Sequence, residues 1–177
     1  MKKLIMMLLA SSLSLCACSN TLEQQVDTST LESNELNNED NTQIAGEELG
    51  NHFLEIINSD PEGTIDDYII EFINSTPTPF ELSSMVIEEG YLSGFNNTEI
   101  LGFKVGYQIA PMIGSIPFIA YAFELETSDT KEIEEFKTKL IDSADLRWNI
   151  CTEADSIICC NKDNIIFFIM SPDTFEE

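Results

Sequence analysis

Between Ser19 and Ala45 the chain runs for 27 residues without a glycine, proline, aromatic or basic side chain. Ser, Thr, Asn, Gln and acids dominate, and aliphatics such as Leu22, Val26, Leu31 and Leu36 are scattered. Such a segment cannot bury enough apolar surface to offset its ordering entropy, so it is expected to be a mobile tether. Its like charges favour extension, and fully stretched it would reach on the order of 90 Å at about 3.3 Å per residue. Regular apolar periodicity starts at Gly46 and continues to the end. Folding is thereby confined to residues 46–177, enough chain for one domain with its own core. No internal repeat is visible.

The periodicity predicts an α+β domain: two N-terminal helices, an antiparallel sheet of about four to five strands, and one crossing helix. Leu49, Phe53, Ile56 and Ile57 form one stripe of a helix from about Glu47 to Ile57, whose leading acids suit the dipole. A second helix runs from Ile65 to about Asn74, with Thr64 and Asp67 as an acidic capping box and Ile65, Tyr68, Ile69, Phe72 and Ile73 on one face. Thr76-Pro77-Thr78-Pro79 stops it. The region from Phe80 to Leu92 is ambiguous in period, with a strand near Met85–Ile87 its one expected element.

Further along, Leu101, Phe103, Val105, Tyr107 and Ile109 alternate with smaller or polar residues, the mark of a half-buried strand. Pro111–Ser115 reads as its turn, and Ile116–Leu125 is apolar on both faces, as in a sheet interior. A third helix is expected over about Thr130–Ser143, with Ile133, Phe136 and Leu140 inward and Glu135 spaced to meet Lys139. Leu146, Trp148 and Ile150 alternate as a short strand. Ser156–Cys160 and Ile165–Met170 flank Asn161-Lys162-Asp163-Asn164, a hairpin turn by composition.

The beginning of the chain reads as an export signal. Lys2 and Lys3 precede the uncharged apolar run Leu4–Leu15, which is shorter than the roughly 20 residues a spanning helix needs. Leu15-Cys16-Ala17-Cys18 resembles the bacterial lipobox, which places cleavage before Cys18 and diacylglycerol on its thiol. An ordinary signal peptide or a membrane helix is the alternative. The expected layout is a signal peptide over 1–17, a lipidated Cys18 and acidic tether over 18–45, and a domain over 46–177. That layout implies a lipid-anchored protein on the extracytoplasmic face of the cell membrane.

Charge excludes one partner class. The formal charge of −24 becomes −26 once Lys2 and Lys3 leave, since all 32 acids lie beyond the cut. A surface so anionic repels nucleic-acid phosphates and gains nothing from counterion release. It also disfavours close contact with anionic lipid. A cationic peptide, metal ion or polyamine is permitted, and solubility alone explains the acidity more simply.

Candidate chemistry is sparse. Cys151, Cys159 and Cys160 are an odd set beyond the signal, so at most one pair can bridge within a chain. Cys151 is a disulfide candidate with Cys159 or Cys160, if the short strand lies beside the hairpin; small core side chains are the plainer reading. No cysteine spacing suits zinc. The single histidine, His52, borders the apolar stripe of the first helix, so a Cys–His pair would need a long-range coincidence. Ser84 and Ser115 sit in no nucleophile elbow, and Gly90–Phe95 lacks the frame and the lysine of a phosphate loop.

Asn58, Asp60, Glu62 and Asp66 follow the oxygen spacing of a calcium-binding EF-hand or dockerin loop, with Gly63 at position six. Position twelve is Ile69 where a bidentate acid belongs, and a turn with a Thr64 cap explains the same residues. Paired carboxylates for glycoside hydrolysis have no diagnostic force where acids are so abundant. Arg147 beside Trp148 is more simply a structural ion-pair donor.

In layout the chain resembles the small lipoproteins of Gram-positive gut and clostridial bacteria. The resemblance rests on Leu15-Cys16-Ala17-Cys18, the acidic tether, Arg147-Trp148-Asn149-Ile150-Cys151 and the Ile157–Met170 hairpin. It implies lipidation and one α+β domain, and it brings no activity, cofactor or site residue. The expected function is a non-enzymatic binding or adaptor module, with an exposed apolar groove or sheet edge that meets an envelope protein, peptide or glycan. No cofactor is expected beyond the acyl lipid on Cys18. The alternatives are an envelope hydrolase using acidic residues or a Cys–His pair, and a calcium-binding module built on the Asn58–Asp66 loop.

Overall fold

The computed structural model describes residues 46–175, so the expectations for the signal, Cys18 and the tether lie outside the described residues. Two helices lead, α1 over Gly46–Ser59 and α2 over Ile65–Ser75. Thr64 caps α2 by accepting from Asp67 N, while the Asp67 carboxylate accepts from Thr64 N, so the capping box forms as expected. The strands are β1 (Leu82–Ile87), β2 (Gly90–Tyr91), β3 (Glu99–Ile100), β4 (Phe103–Pro111), β5 (Ile119–Leu125), β6 (Ser156–Lys162) and β7 (Ile165–Ser171). Helix α3 spans Thr130–Ser143 between β5 and β6.

Strands β1, β4, β5, β7 and β6 lie in that order in one antiparallel sheet, and β2 pairs with β3 in a small separate ladder. This is the expected α+β arrangement. Among the described residues no helix is long and apolar enough to cross a membrane.

Both faces of the sheet are covered, which makes two cores. Ala120 and Ala122 of β5, with Phe167 and Ile169 of β7, face α1 and α2, where Leu49, Phe53, Ile69 and Phe72 are buried. The opposite face presents Tyr121, Phe123, Phe168 and Met170 to Ile133, Phe136 and Leu140 of α3 and to Phe95 and Ile100. On the α1–α2 face Ala120 and Ala122 flank the Phe167 ring, which packs on Phe53 and Phe72, while Tyr121, Phe123 and Phe168 fill the face under α3. The continuous apolarity of β5 follows from its place at the centre of the sheet.

Three expectations need correction. The alternation from Leu101 to Ile109 does not hold one face. Phe103 pairs with Leu125 while Val105 pairs with Glu124, so a β-bulge inserts one residue. Phe103 therefore joins the α3-side core, whereas Val105, Tyr107 and Ile109 pack on the α1–α2 side, and Leu101 is exposed.

Leu146, Trp148 and Ile150 form no strand. The Asp145 carboxylate accepts from Arg147 N and the Asn149 side-chain Oδ1 from Cys151 N, two local turns that compete with extended backbone. Ile150 is fully exposed as a result. Finally, Glu135 of α3 pairs back to Lys131 at 3.0 Å instead of forward to Lys139.

Candidate functional site

A concavity of about 970 Å³ opens at the end of the sheet where β1 begins and β4 ends. Three segments build most of it, Pro79–Glu81 ahead of β1, the loop between β4 and β5, and residues 172–175 after β7, with Asp155 ahead of β6 completing the lining. Phe80, Phe118 and Phe175 form the supporting cluster, with ring centroids 5.6 Å apart for Phe80–Phe118 and 5.1 Å for Phe80–Phe175. Met112 and Ile113 stand at the rim, 70% and 66% exposed. Proline at positions 79, 117 and 172 stiffens each segment.

Two hydrogen bonds fix the walls. Met112 N donates to Glu81 O at 3.1 Å, and Asn149 Nδ2 donates to Gly114 O at 2.7 Å. The charged residues lining the groove are Glu81 and Asp155, both acids. Such a site can seat an apolar group with a cationic neighbour; it presents no arranged acid, base and nucleophile. Sequence reasoning missed it because the three segments lie far apart in the chain, and only the paired prolines and the exposed Met-Ile dipeptide hint at it.

The residues singled out from sequence are placed as follows. Asp66 Oδ1 accepts from the Tyr107 hydroxyl at 2.6 Å, and the Asp60 and Gly63 carbonyls both accept from the Tyr68 hydroxyl. The Asn58–Asp66 loop is thus tied down by two tyrosines. Among the described residues no group of three His, Cys, Asp or Glu side chains is placed to hold a metal ion.

His52 Nε2 lies 2.8 Å from Ser75 Oγ. The Ser75 hydroxyl also donates to Glu71 O at 2.7 Å, which ties the His52–Ser75 contact to the end of α2. Arg147 Nε meets Glu153 at 2.7 Å, both exposed, the structural pairing expected of it. Ser84 lies on β1 and Ser115 lines the groove.

Tyr107 offers a pH test. The hydrogen bond to Asp66 pushes its pKa up to about 12, with desolvation and the Asp66 charge adding to it. The neutral phenol is the stabilised form, so its contribution is full below the ordinary value of 10.0 and is lost as pH climbs through about 12. The urea midpoint of the native chain is expected to fall more steeply between those limits than that of Tyr107→Phe. Parallel curves would show that the bond contributes nothing.

Among the described residues Cys151, Cys159 and Cys160 stand free, and no bridge joins Cys151 to either of the other two. Cys151 is exposed in the 145–153 loop, while Cys159 and Cys160 are partly buried on opposite faces of β6. Burial pushes Cys159 up to about 12, against a lowering pull from Lys137, and Cys160 up to about 11. At pH 8 the thiolate fraction of the β6 pair is then on the order of one in a thousand or less. Iodoacetamide is expected to alkylate Cys151 at least about a hundredfold faster than the β6 pair, until denaturant equalises them. Equal rates by peptide mapping would contradict the burial of the pair.

No family model, curated protein or solved structure matches the chain.

Proposed function

We propose that the chain is a lipid-anchored extracytoplasmic binding module that holds a partner in the groove between the start of β1, the β4–β5 loop and residues 172–175. Leu15-Cys16-Ala17-Cys18 supports the anchor, and the acidic 18–45 segment supports a spacer that carries the domain away from the lipid. The observation that carries the binding reading is the apolar rim. Met112 and Ile113 are left in solvent above a packed aromatic floor, although burying them would be worth roughly 1.5–3 kcal/mol each.

The anchor and the groove are tested separately. Cys18→Ala is expected to strand the precursor or release the protein from membranes, while Cys16→Ala leaves fractionation unchanged; equal fractionation of both variants would defeat the anchor. For the groove, a photo-crosslinker at Ile113 is compared with one at Ile141, an exposed position on α3. A discrete adduct from Ile113 alone is expected in intact envelopes. Adducts from both positions, or only to the chain's own residues 19–45, would overturn the reading.

A further inference from the structure

Among the described residues strand β1 is an open edge, and it leads out of the groove. It is terminal in the sheet, pairs with β4 alone among the described residues, and its first residue, Leu82, lies opposite Pro111 at the groove mouth. Ser83, Ser84, Met85 and Val86 are all exposed, so β1 overhangs the core instead of alternating in and out of it. Met85 and Val86 are 57% and 68% exposed.

The opposite edge is built differently. β6 has no exposed residue before Lys162. Gly50 of α1 brings its backbone against Ile158 and Cys160, and Lys137 of α3 reaches Asn161 at 2.9 Å. Proteins guard exposed edges with lysine, proline, bulges or covering elements. β6 has a cover and a lysine, whereas Leu82–Ile87 contains neither lysine nor proline and its ladder to β4 is regular throughout.

Charge selects the occupant. From Gly46 to Phe103 the chain carries 12 acids and no Lys or Arg, so every Lys and Arg of the domain lies from Lys104 onward. Glu81 and Glu88 bracket β1, and Asp66 is held beside it by Tyr107, the cross-strand neighbour of Val86. A second copy would bring the same acids to the same edge and be repelled, which leaves an oppositely charged strand.

We propose that β1 accepts an extended, basic peptide segment of a partner protein as a sixth strand, with one apolar side chain of that segment seated in the groove. Main-chain hydrogen bonds supply affinity and the groove with its flanking acids supplies selection, the usual division in strand addition. The inference rests on the binding reading above and adds the edge, the strand conformation and the charge of the partner.

The probe is an eight-residue peptide of alternating valine and lysine ending in phenylalanine, added to the full chain in neutral maltoside micelles. Amide exchange at 83–86 is expected to slow at least about tenfold, and raising salt from 50 to 500 mM is expected to weaken binding about tenfold. The same peptide N-methylated on alternate amides should give no protection, and a glutamate-for-lysine peptide should not bind.

Protection centred on 112–118 that Ile113→Ser abolishes, with 83–86 unchanged, would overturn the strand and leave the groove reading standing. No change at either place with millimolar peptide would remove both. Protection at 83–86 in the free chain that rises with protein concentration would assign the edge to a second copy and overturn the basic partner.

Discussion

Phe167→Ala is expected to remove about 3–5 kcal/mol of unfolding free energy, the range for truncating a buried phenylalanine. Phe167 is fully buried on β7, stacked on Phe53 of α1 at 4.3 Å with a 15° interplanar angle, and edge-on to Phe72 of α2 at 5.1 Å. One ring thus joins both helices to the sheet. Removing it leaves a cavity that none of the three elements can fill without shifting. Single domains hold about 5–15 kcal/mol in total, so the loss is a large fraction of what is available.

Urea titration followed by the single tryptophan, Trp148, gives the measurement, because its packing is on the far side of the sheet and reports global unfolding. Ile70→Ala on the solvent side of α2, where the side chain is 59% exposed, is expected to stay within about 0.5 kcal/mol. If Phe167→Ala lost less than about 1.5 kcal/mol, the α1–α2 core would not be the support described here.

Elements whose signals are local were legible in the sequence. The Thr64–Asp67 box marked the start of α2, the 3.6-residue stripe of Ile133, Phe136 and Leu140 located α3, and the polar tetrad from Asn161 placed the β6–β7 hairpin. Asp163 there adopts φ +50°, a conformation Asp tolerates better than most residues. β1 was nearly lost because a strand that overhangs the core has no buried alternation to display.

The Leu146–Ile150 alternation misled for the reverse reason. Its spacing suits a strand, but Asp145 and Asn149 offer side-chain acceptors to the backbone two residues on, and no neighbouring strand edge competes for those amides. As for the groove, it depends on three segments meeting across the end of a sheet. Each segment alone reads as a proline-bearing loop, so nothing local announced the site.

The bulge in β4 was equally invisible, and it sets up the sharpest steric test. Crossing to the α3 side carries Phe103 over Gly106, where a Cβ would sit 2.7 Å from Phe103 Cε2 and 2.9 Å from Ile87 Cγ1. The Phe103 ring is held from behind by Phe123, 5.0 Å away between centroids, so it has little room to retreat. Gly106→Val is therefore expected to cost about 3 kcal/mol, the upper end for overpacking, with Gly106→Ala near 1 kcal/mol.

Gly114 has open space around it and no left-handed backbone, so Gly114→Ala is expected to be neutral within about 0.5 kcal/mol. Pairing Gly106→Val with Phe103→Leu should restore part of the loss, with a coupling of about 1–2 kcal/mol between the two positions. Additive losses in that cycle would mean that the ring does not lie over the glycine. The bulge would then have to be redrawn, with Phe103 returned to the face that plain alternation assigns it.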